Sequence, residues 1–217
     1  GVFAQAGPET SVSLQGRGKL RDVDYATVEA VQLRLAQDVR SVRGRLSIGG
    51  GEAFVDARQT GETVSGRAML DGVRIAAFSR DFAGRVNAVV NVQGQGARLT
   101  GDLDATLENA RSLDAPPELA VDGRIRGSLS DARLRVNASA SNDAGLRAAA
   151  NLDLPAEASA QPFRLAVNRT QPMRGDFMAQ GELRSLWNLF FGAERTLAGK
   201  LDASGTLAGS LNSPRAT

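Results

Sequence analysis

The chain has 217 residues, of which 42% are hydrophobic, 23% are charged and only 5% are aromatic. Histidine and cysteine are both absent, which removes the commonest general base, the usual zinc ligands, thiol nucleophiles and disulfide bonds. The 26 basic and 24 acidic residues nearly balance, so the composition gives no grounds for a nucleic-acid surface. Most catalytic constellations are therefore excluded, and we expect no enzymatic activity, no metal and no cofactor.

The sequence shows neither a membrane-spanning segment nor a signal peptide. No stretch approaches the roughly 18 consecutive apolar residues of a membrane-spanning helix, and the N-terminal residues lack the charged and apolar regions of a signal peptide. The chain stops at residues 212–217, directly after a strand-like run. We therefore expect a fragment of a longer protein, with residues 1–217 forming a single elongated segment.

Alternation of apolar and polar residues with a period of two runs along the whole chain. It predicts strand after strand, because successive side chains of a strand point to opposite faces. In the first half the alternation is loose. Its apolar runs are Val31/Leu33/Leu35, Val42/Gly44/Leu46/Ile48, Ala53/Val55/Ala57, Val73/Ile75 and Val86/Ala88/Val90/Val92.

In the second half the alternation is stricter. The runs there are Leu99/Gly101/Leu103/Ala105/Leu107, Leu119/Val121/Gly123/Ile125/Gly127/Leu129, Leu134/Val136/Ala138, Leu146/Ala148/Ala150/Leu152/Leu154, Phe163/Leu165/Val167, Phe177/Ala179/Gly181/Leu183 and Leu197/Gly199/Leu201/Ala203/Gly205/Leu207/Gly209/Leu211. The intervening residues are mainly polar, so each predicted strand has one apolar and one polar face. Turn signals separate the runs, and their spacing implies roughly fifteen strands in short antiparallel connections.

Glycine repeatedly shares the parity of the aliphatic residues, as in Gly101/Leu103 and Gly127/Leu129. Glycine weakens a strand, so its placement on the apolar face needs a reason. One interpretation is a wall that bends or leaves space beside the leucines. The other is a sandwich in which a second sheet approaches closely.

One segment, about residues 185–192, departs from the alternation. Leu186, Leu189 and Phe190 have i, i+3, i+4 spacing, which is typical of one apolar face of a helix. Ser185 and Gly192 suit its two ends. The segment is predicted to form one or two turns of helix inserted between strands and packed on the end of the local core; the alternative is a separate binding element.

Charged pairs of equal parity also occur, notably Asp102 with Asp104 and Arg124 with Arg126. Two carboxylates on one strand face suit glycoside hydrolysis, but they are also what alternation with a solvated face produces. The glycine-rich turns match neither a calcium-binding repeat nor a phosphate loop. Basic residues alternate with acidic ones and are not interleaved with aromatic ones, so no nucleic-acid partner is expected.

The apolar face is the informative feature, because it must be buried in a barrel, in a sandwich or in a trough filled by something else. Small side chains would underfill a closed core, which favours a trough suited to hydrocarbon chains. The residues predicted to line this groove are Val86, Val90, Val92, Leu99, Leu103, Leu107, Leu119, Val121, Ile125, Leu129, Leu134, Val136, Leu146, Leu152, Leu154, Phe163, Leu165, Val167, Phe177, Leu183, Leu197, Leu201, Leu207 and Leu211.

The C-terminal part of the chain resembles the TamB family of the AsmA-like superfamily. In that family a leucine-rich helical insert leads into a strand of the form L-x-G-x-L-x-x-x-G-x-L-x-G-x-L-x-x-P. Residues 181–190 resemble the insert, and every position of the strand is met from Leu197 to Pro214. Residues 117–129 and 151–154 resemble other strands of the family more diffusely, so the resemblance is clearest over about the last hundred residues.

The resemblance implies an all-β fold, an elongated β-taco or half-pipe β-solenoid of antiparallel strands with a hydrophobic groove. It implies a Gram-negative envelope protein that spans the periplasm. Its inner-membrane anchor and the segment that meets an outer-membrane barrel protein of the TamA/BamA type would lie outside these residues. Members of the superfamily are implicated in moving phospholipids to the outer membrane and in assembling some outer-membrane proteins.

Three functions are therefore open. The first is a lipid conduit, in which phospholipid acyl chains lie along the groove between the inner and outer membranes. The second is a chaperone-like scaffold on which outer-membrane proteins or autotransporters add a strand to an exposed edge. The third is an adhesin-like solenoid, which would explain the alternation but neither the apolar face nor the helical insert.

Overall fold

The computed structural model describes residues 2–5, 9–20, 22–184, 187 and 199–217. Sixteen strands form one sheet. They are β1 (Val2–Gln5), β2 (Glu9–Leu14), β3 (Arg17–Leu20), β4 (Val23–Ala36), β5 (Val39–Ile48), β6 (Gly51–Thr60), β7 (Thr63–Arg74), β8 (Phe82–Gln95), β9 (Arg98–Ser112), β10 (Val121–Ser130), β11 (Arg133–Ser141), β12 (Arg147–Ser159), β13 (Arg164–Val167), β14 (Arg174–Glu182), β15 (Lys200–Ser210) and β16 (Ser213–Ala216). Two short 3₁₀ turns, Ile75–Ala77 and Pro117–Leu119, follow β7 and β9.

The strand order follows the chain. Among the described residues, each strand pairs antiparallel with its neighbours in sequence, except that β3 pairs only with β4 and β13 only with β12, so that β2 pairs with β4 and β12 with β14. Over the same residues the sheet does not close into a barrel, since β1 and β16 lie at its two ends. The expectation of an all-β, antiparallel fold is confirmed. The predicted helical insert, about residues 185–192, lies outside the described residues apart from Trp187.

The pairing register aligns apolar residues in rows that cross the sheet, because paired residues lie on the same face. One row crosses every strand from β5 to β16 except β13: Gly44, Val55, Ala68, Val90, Leu103, Gly127, Val136, Leu152, Gly175, Leu207 and Ala216. A second row, two residues along, is Leu46, Ala53, Leu70, Ala88, Ala105, Ile125, Ala138, Ala150, Phe177 and Gly205. Neither row contains a charged residue, so we call this side of the sheet the apolar face.

The opposite side is a polar face. One of its rows is Arg43, Asp56, Arg67, Asn91, Asp102, Ser128, Arg135, Asp153 and Arg174. Neighbouring side chains bond across the strands. The amide of Asn91 donates to the Asp102 carboxylate at 2.8 Å, and Asn151 donates to Asp176 at the same distance. Opposite charges and amides facing one another each contribute a few tenths of a kcal/mol or more to strand pairing.

Glycines on the apolar face make room for larger side chains of the neighbouring strand. A Cβ built on Gly127 would lie 3.3 Å from the Cβ of Leu103, and one built on Gly205 would lie 3.0 Å from the ring of Phe177. Leu103 and Phe177 are the paired neighbours of these glycines. The space beside each glycine is therefore filled from within the same sheet, which corresponds to a wall with room beside its large residues and does not require a second sheet.

The buried core lies at the two ends of the strands. Val64, Leu99, Leu129, Ala156 and Ala160 form one buried cluster at the end where β7 and β9 begin. A second cluster, at the end where β7 finishes, contains Val23, Ile48, Val73 and Ala77. Between the clusters, most residues of the two apolar rows are only half-buried. The sheet thus has two packed margins and a partly exposed apolar middle.

The glycine packing predicts that adding one methyl group destabilises the fold at Gly175 much more than at Gly16. In Gly175→Ala the new Cβ would lie 2.6 Å from the Asn151 carbonyl oxygen and 2.8 Å from Leu152 Cδ2. Backbone must shift, and we expect a loss of about 1–3 kcal/mol in the free energy of unfolding. In the control Gly16→Ala the Cβ meets nothing within 4 Å, so the change should stay within about 0.5 kcal/mol. Urea denaturation measures both, and equal midpoints would contradict this packing.

Candidate apolar binding site

A hairpin leaves the sheet where β12 reaches Pro155. β12 pairs with β11 as far as Pro155, which lies opposite Arg133. β11 begins at Arg133, so β12 runs past the end of its neighbour there, and the following residues Ala156–Ser159 pair only with β13. The backbone N–H of Asn168 donates to the Pro155 carbonyl at 2.8 Å and closes the base of the hairpin. We call residues 156–167 the cover hairpin.

The cover hairpin is attached to the turns of the main sheet. The Ala156 N–H donates to the carbonyl of Ala132, in the β10–β11 turn, at 2.8 Å. At the tip, the N–H groups of Ala160 and Gln161 donate to the carbonyl of Gly96, in the β8–β9 turn, at 3.0 and 2.8 Å. The hairpin therefore runs across the ends of the strands from β11 to β8, over the apolar face.

The two arms of the cover hairpin meet the sheet differently. Ala156 pairs with Val167 and Ala158 with Leu165, so these four side chains share one face. Ala156 is buried among Leu99, Leu129 and their neighbours, with Ala158 packed against the same cluster. Leu165 remains 52% exposed. The small residues of one arm pack closely on the sheet, whereas the larger residues of the other arm stand away from it.

A cavity of about 260 Å³ lies between the cover hairpin and the apolar face. Its lining residues are Val90, Asn91, Val92, Gly101, Asp102, Leu103, Gly127, Leu129, Leu134, Ala156, Leu165, Ala166 and Val167. Asn91 and Asp102 belong to the polar face, where they bond to each other. All other lining residues are apolar or glycine, so the cavity suits hydrocarbon and offers no partner for a polar group.

The residues predicted to line a groove fall into several groups. Those that line the cavity are Val90, Val92, Leu103, Leu129, Leu134, Leu165 and Val167. Those that lie on the apolar face by register, away from the cavity, are Val86, Leu107, Ile125, Val136, Leu152, Phe177, Leu201 and Leu207. The latter group is half-buried, so the register carries the apolar surface of the cavity onward across the sheet.

The remaining predicted residues occupy other positions. Leu99, Leu119, Val121, Leu146 and Leu154 are buried, and Leu119 lies in the second 3₁₀ turn rather than in a strand. Phe163 is 53% exposed in the turn between β12 and β13. Leu183, directly after β14, and Leu211, in the β15–β16 turn, are half-buried. Leu197 lies outside the described residues.

The pattern of the sequence does not indicate the cover hairpin. It predicts the run Phe163/Leu165/Val167 as one more strand in series and gives no lining role to Ala156 or Ala166. Pro155 is the signal of a change in pairing here, since a proline within an alternating run is typical of a strand edge without a ladder partner.

Two carboxylates of the polar face, those of Asp104 and Asp153, accept hydrogen bonds from arginines. Arg124 donates to Asp104 at 2.7 Å and, with Arg126 at 3.5 Å, holds the pKa of Asp104 below its usual value. A hydrogen bond of 2.8 Å from Arg133 lowers the pKa of Asp153 in the same way. Over the described ranges, no group of three or more acidic residues is placed to hold a metal ion. The polar face thus forms ion pairs that stabilise strand pairing.

Comparison with known proteins adds no assignment, since no protein-family model, curated protein or solved structure matches the chain significantly. In the part of the chain that the structure describes, no helix is long and apolar enough to cross a membrane.

The Asp104 ion pair predicts a pH effect with a defined sign. Because the folded state lowers this pKa, the pair stabilises the fold above the usual carboxyl pKa of about 3.9, and the contribution is lost as the pH falls through the lowered value. Carbon-13 NMR titration should place Asp104 below an ordinary aspartate, and Arg124→Gln should raise its pKa. Arg34→Gln on β4 is the distant control; an Asp104 titration unmoved by Arg124→Gln would contradict the assignment.

Proposed function

We propose that the chain is a segment of a lipid-transfer conduit, in which the apolar face forms a groove that carries phospholipid acyl chains. The observation that carries the proposal is the pair of apolar rows described above, which cross successive strands without a charged residue. A hydrocarbon chain that moves from strand to strand along these rows meets no group that must be desolvated. The resemblance to TamB-like proteins points to the same function.

The exposure of the middle rows supports the proposal. Leu103 and Ile125 are half-buried at the centre of the sheet, while the margins on either side are packed. Soluble proteins rarely leave a contiguous apolar surface of more than a few hundred Å² uncovered unless it binds something. In a groove with two packed margins and an apolar floor, acyl chains would lie on the floor and the headgroups would remain in the solvent.

The proposed setting follows the resemblance. The conduit would span the periplasm of a Gram-negative bacterium, joined to the inner membrane and to an outer-membrane barrel protein through parts of a longer chain. No catalytic step is needed, since the lipid is moved and not changed. The polar face, with ion pairs such as Arg133 with Asp153, keeps the outside of such a conduit solvated.

A chaperone-like function has its own supporting observation. β13 pairs only with β12, so the backbone of Arg164–Val167 has a second edge without a strand partner in the described residues. An extended client segment could add there by strand augmentation. We rank this second, because augmentation needs an edge and gives no role to the rows of apolar residues.

The conduit predicts that a charge on the apolar face lowers lipid binding whereas a change on the other face does not. Ile125 pairs with Ala105 and Ala138 on the apolar face, and Arg126 is the next residue on the polar face. After incubation with vesicles of phosphatidylethanolamine and phosphatidylglycerol, the re-isolated protein should carry at least about tenfold less lipid in Ile125→Arg. Arg126→Ile should carry as much as the unaltered chain.

Circular dichroism shows whether Ile125→Arg is still folded. We expect the variant to fold, because a half-buried Arg can extend its charged end to solvent. Equal lipid in the folded Ile125→Arg variant, or no lipid on the unaltered chain, would contradict the conduit. A chain that takes no lipid but captures unfolded outer-membrane protein, with loss of capture when β13 is broken by Leu165→Pro, would establish the second function instead.

A further inference from the structure

We infer that the cavity beneath the cover hairpin is a discrete binding site for one hydrocarbon chain, that of a fatty acid or one acyl chain of a phospholipid. The inference rests on the proposed function, which it refines. It assigns one place along the apolar face where a chain is held from both sides and not merely supported from below.

The two arms of the cover hairpin differ in how closely they approach the sheet. Its alanines pack directly on Leu99 and Leu129, whereas Leu165 and Val167 face the sheet across the cavity. Ligand sites in proteins are typically concave and lined mainly by apolar side chains. A cavity of about 260 Å³ that is open on one side and lies between two apolar walls is therefore a place for an apolar ligand.

Hydrogen bonds hold both ends of the cover hairpin on the main sheet. The tip is held by the Gly96 carbonyl and the base by the Ala132 carbonyl. The segment that returns to β14 is also held, because the Asn212 N–H donates to the Arg169 carbonyl at 3.0 Å and Arg169 Nε donates to the Asn212 side chain at 3.2 Å. These bonds set the position of β13 over the sheet from both sides.

The size and chemistry of the cavity limit its occupant. A protein cavity of about 150 Å³ takes one six-carbon ring, so a cavity of about 260 Å³ takes a hydrocarbon segment on the order of ten carbons. That is one chain segment, not two. Because the lining offers no polar partner, the carboxylate or headgroup must remain outside, on the open side where Leu165 is half-exposed.

A chain-length series tests the size of the site. Fatty acids from hexanoate to tetradecanoate compete with dansylundecanoic acid, whose fluorescence reports occupancy. We expect affinity to rise about fourfold for each added methylene and to level off once about ten carbons lie in the cavity. Affinity that is independent of chain length, or that keeps rising to tetradecanoate, would overturn a discrete site and leave only the extended groove.

A pair of variants on β13 tests its location. Val167→Trp fills the cavity from the hairpin, whereas Arg164→Trp places the same side chain on the opposite face of the same strand. Val167→Trp should weaken dansylundecanoic acid binding at least about tenfold, and Arg164→Trp should not. A photoreactive residue at position 165, which leaves the packed arm intact, should crosslink to the fatty acid while one at position 164 should not.

These experiments distinguish a failure of the discrete site from a failure of the conduit. If Val167→Trp binds the probe normally and position 165 forms no adduct, while the chain still takes up vesicle lipid in a manner sensitive to Ile125→Arg, the discrete site is wrong and the conduit stands. If no lipid binds anywhere, both are wrong. Phospholipid vesicles and free fatty acid as separate competitors identify the source of the chain, and displacement by either supports the site.

Discussion

Antiparallel register is the constraint on which the rest of this structure depends. Side chains of a strand alternate between faces, so a slip of one residue in any pairing would move a leucine to the polar face and an arginine to the apolar one. Here the pairing of Leu103 with Val90 and Gly127, and of Val136 with Leu152, keeps one parity apolar across the sheet. Burial of apolar area and the ion pairs of the opposite face both favour the same register.

The apolar face is covered at the ends of the strands and partly exposed in the middle. The strand ends bury their apolar residues against short turns and the cover hairpin, while the middle keeps Ile125 and Val136 half-exposed. The hairpin begins where β12 runs past Arg133, the first residue of β11. Its alanines pack on the buried cluster, whereas Leu165 and Val167 line the cavity.

Much of the fold could be predicted from the sequence, because a period of two assigns both the strand and its buried face. Glycine beside leucine left two interpretations open, and only the register showed that Phe177 fills the space beside Gly205. The cover hairpin escaped prediction since alternation gives the face of a residue and not the strand with which it pairs. Phe163, Leu165 and Val167 alternate like any other strand, yet β13 pairs only with β12 among the described residues, and Leu165 and Val167 line a cavity together with residues of the apolar face.

The most direct test of a continuous hydrocarbon path is a crosslinking scan along one apolar row of the protein in cells. Photoreactive residues would replace Val55, Val90, Leu103, Val136, Leu152 and Leu207 in turn, with Asp56, Asn91, Asp102, Arg135, Asp153 and Ala208 as neighbours on the polar face. The conduit predicts phospholipid adducts at every position of the first set and none at the second. Adducts on both faces, or on neither, would contradict it.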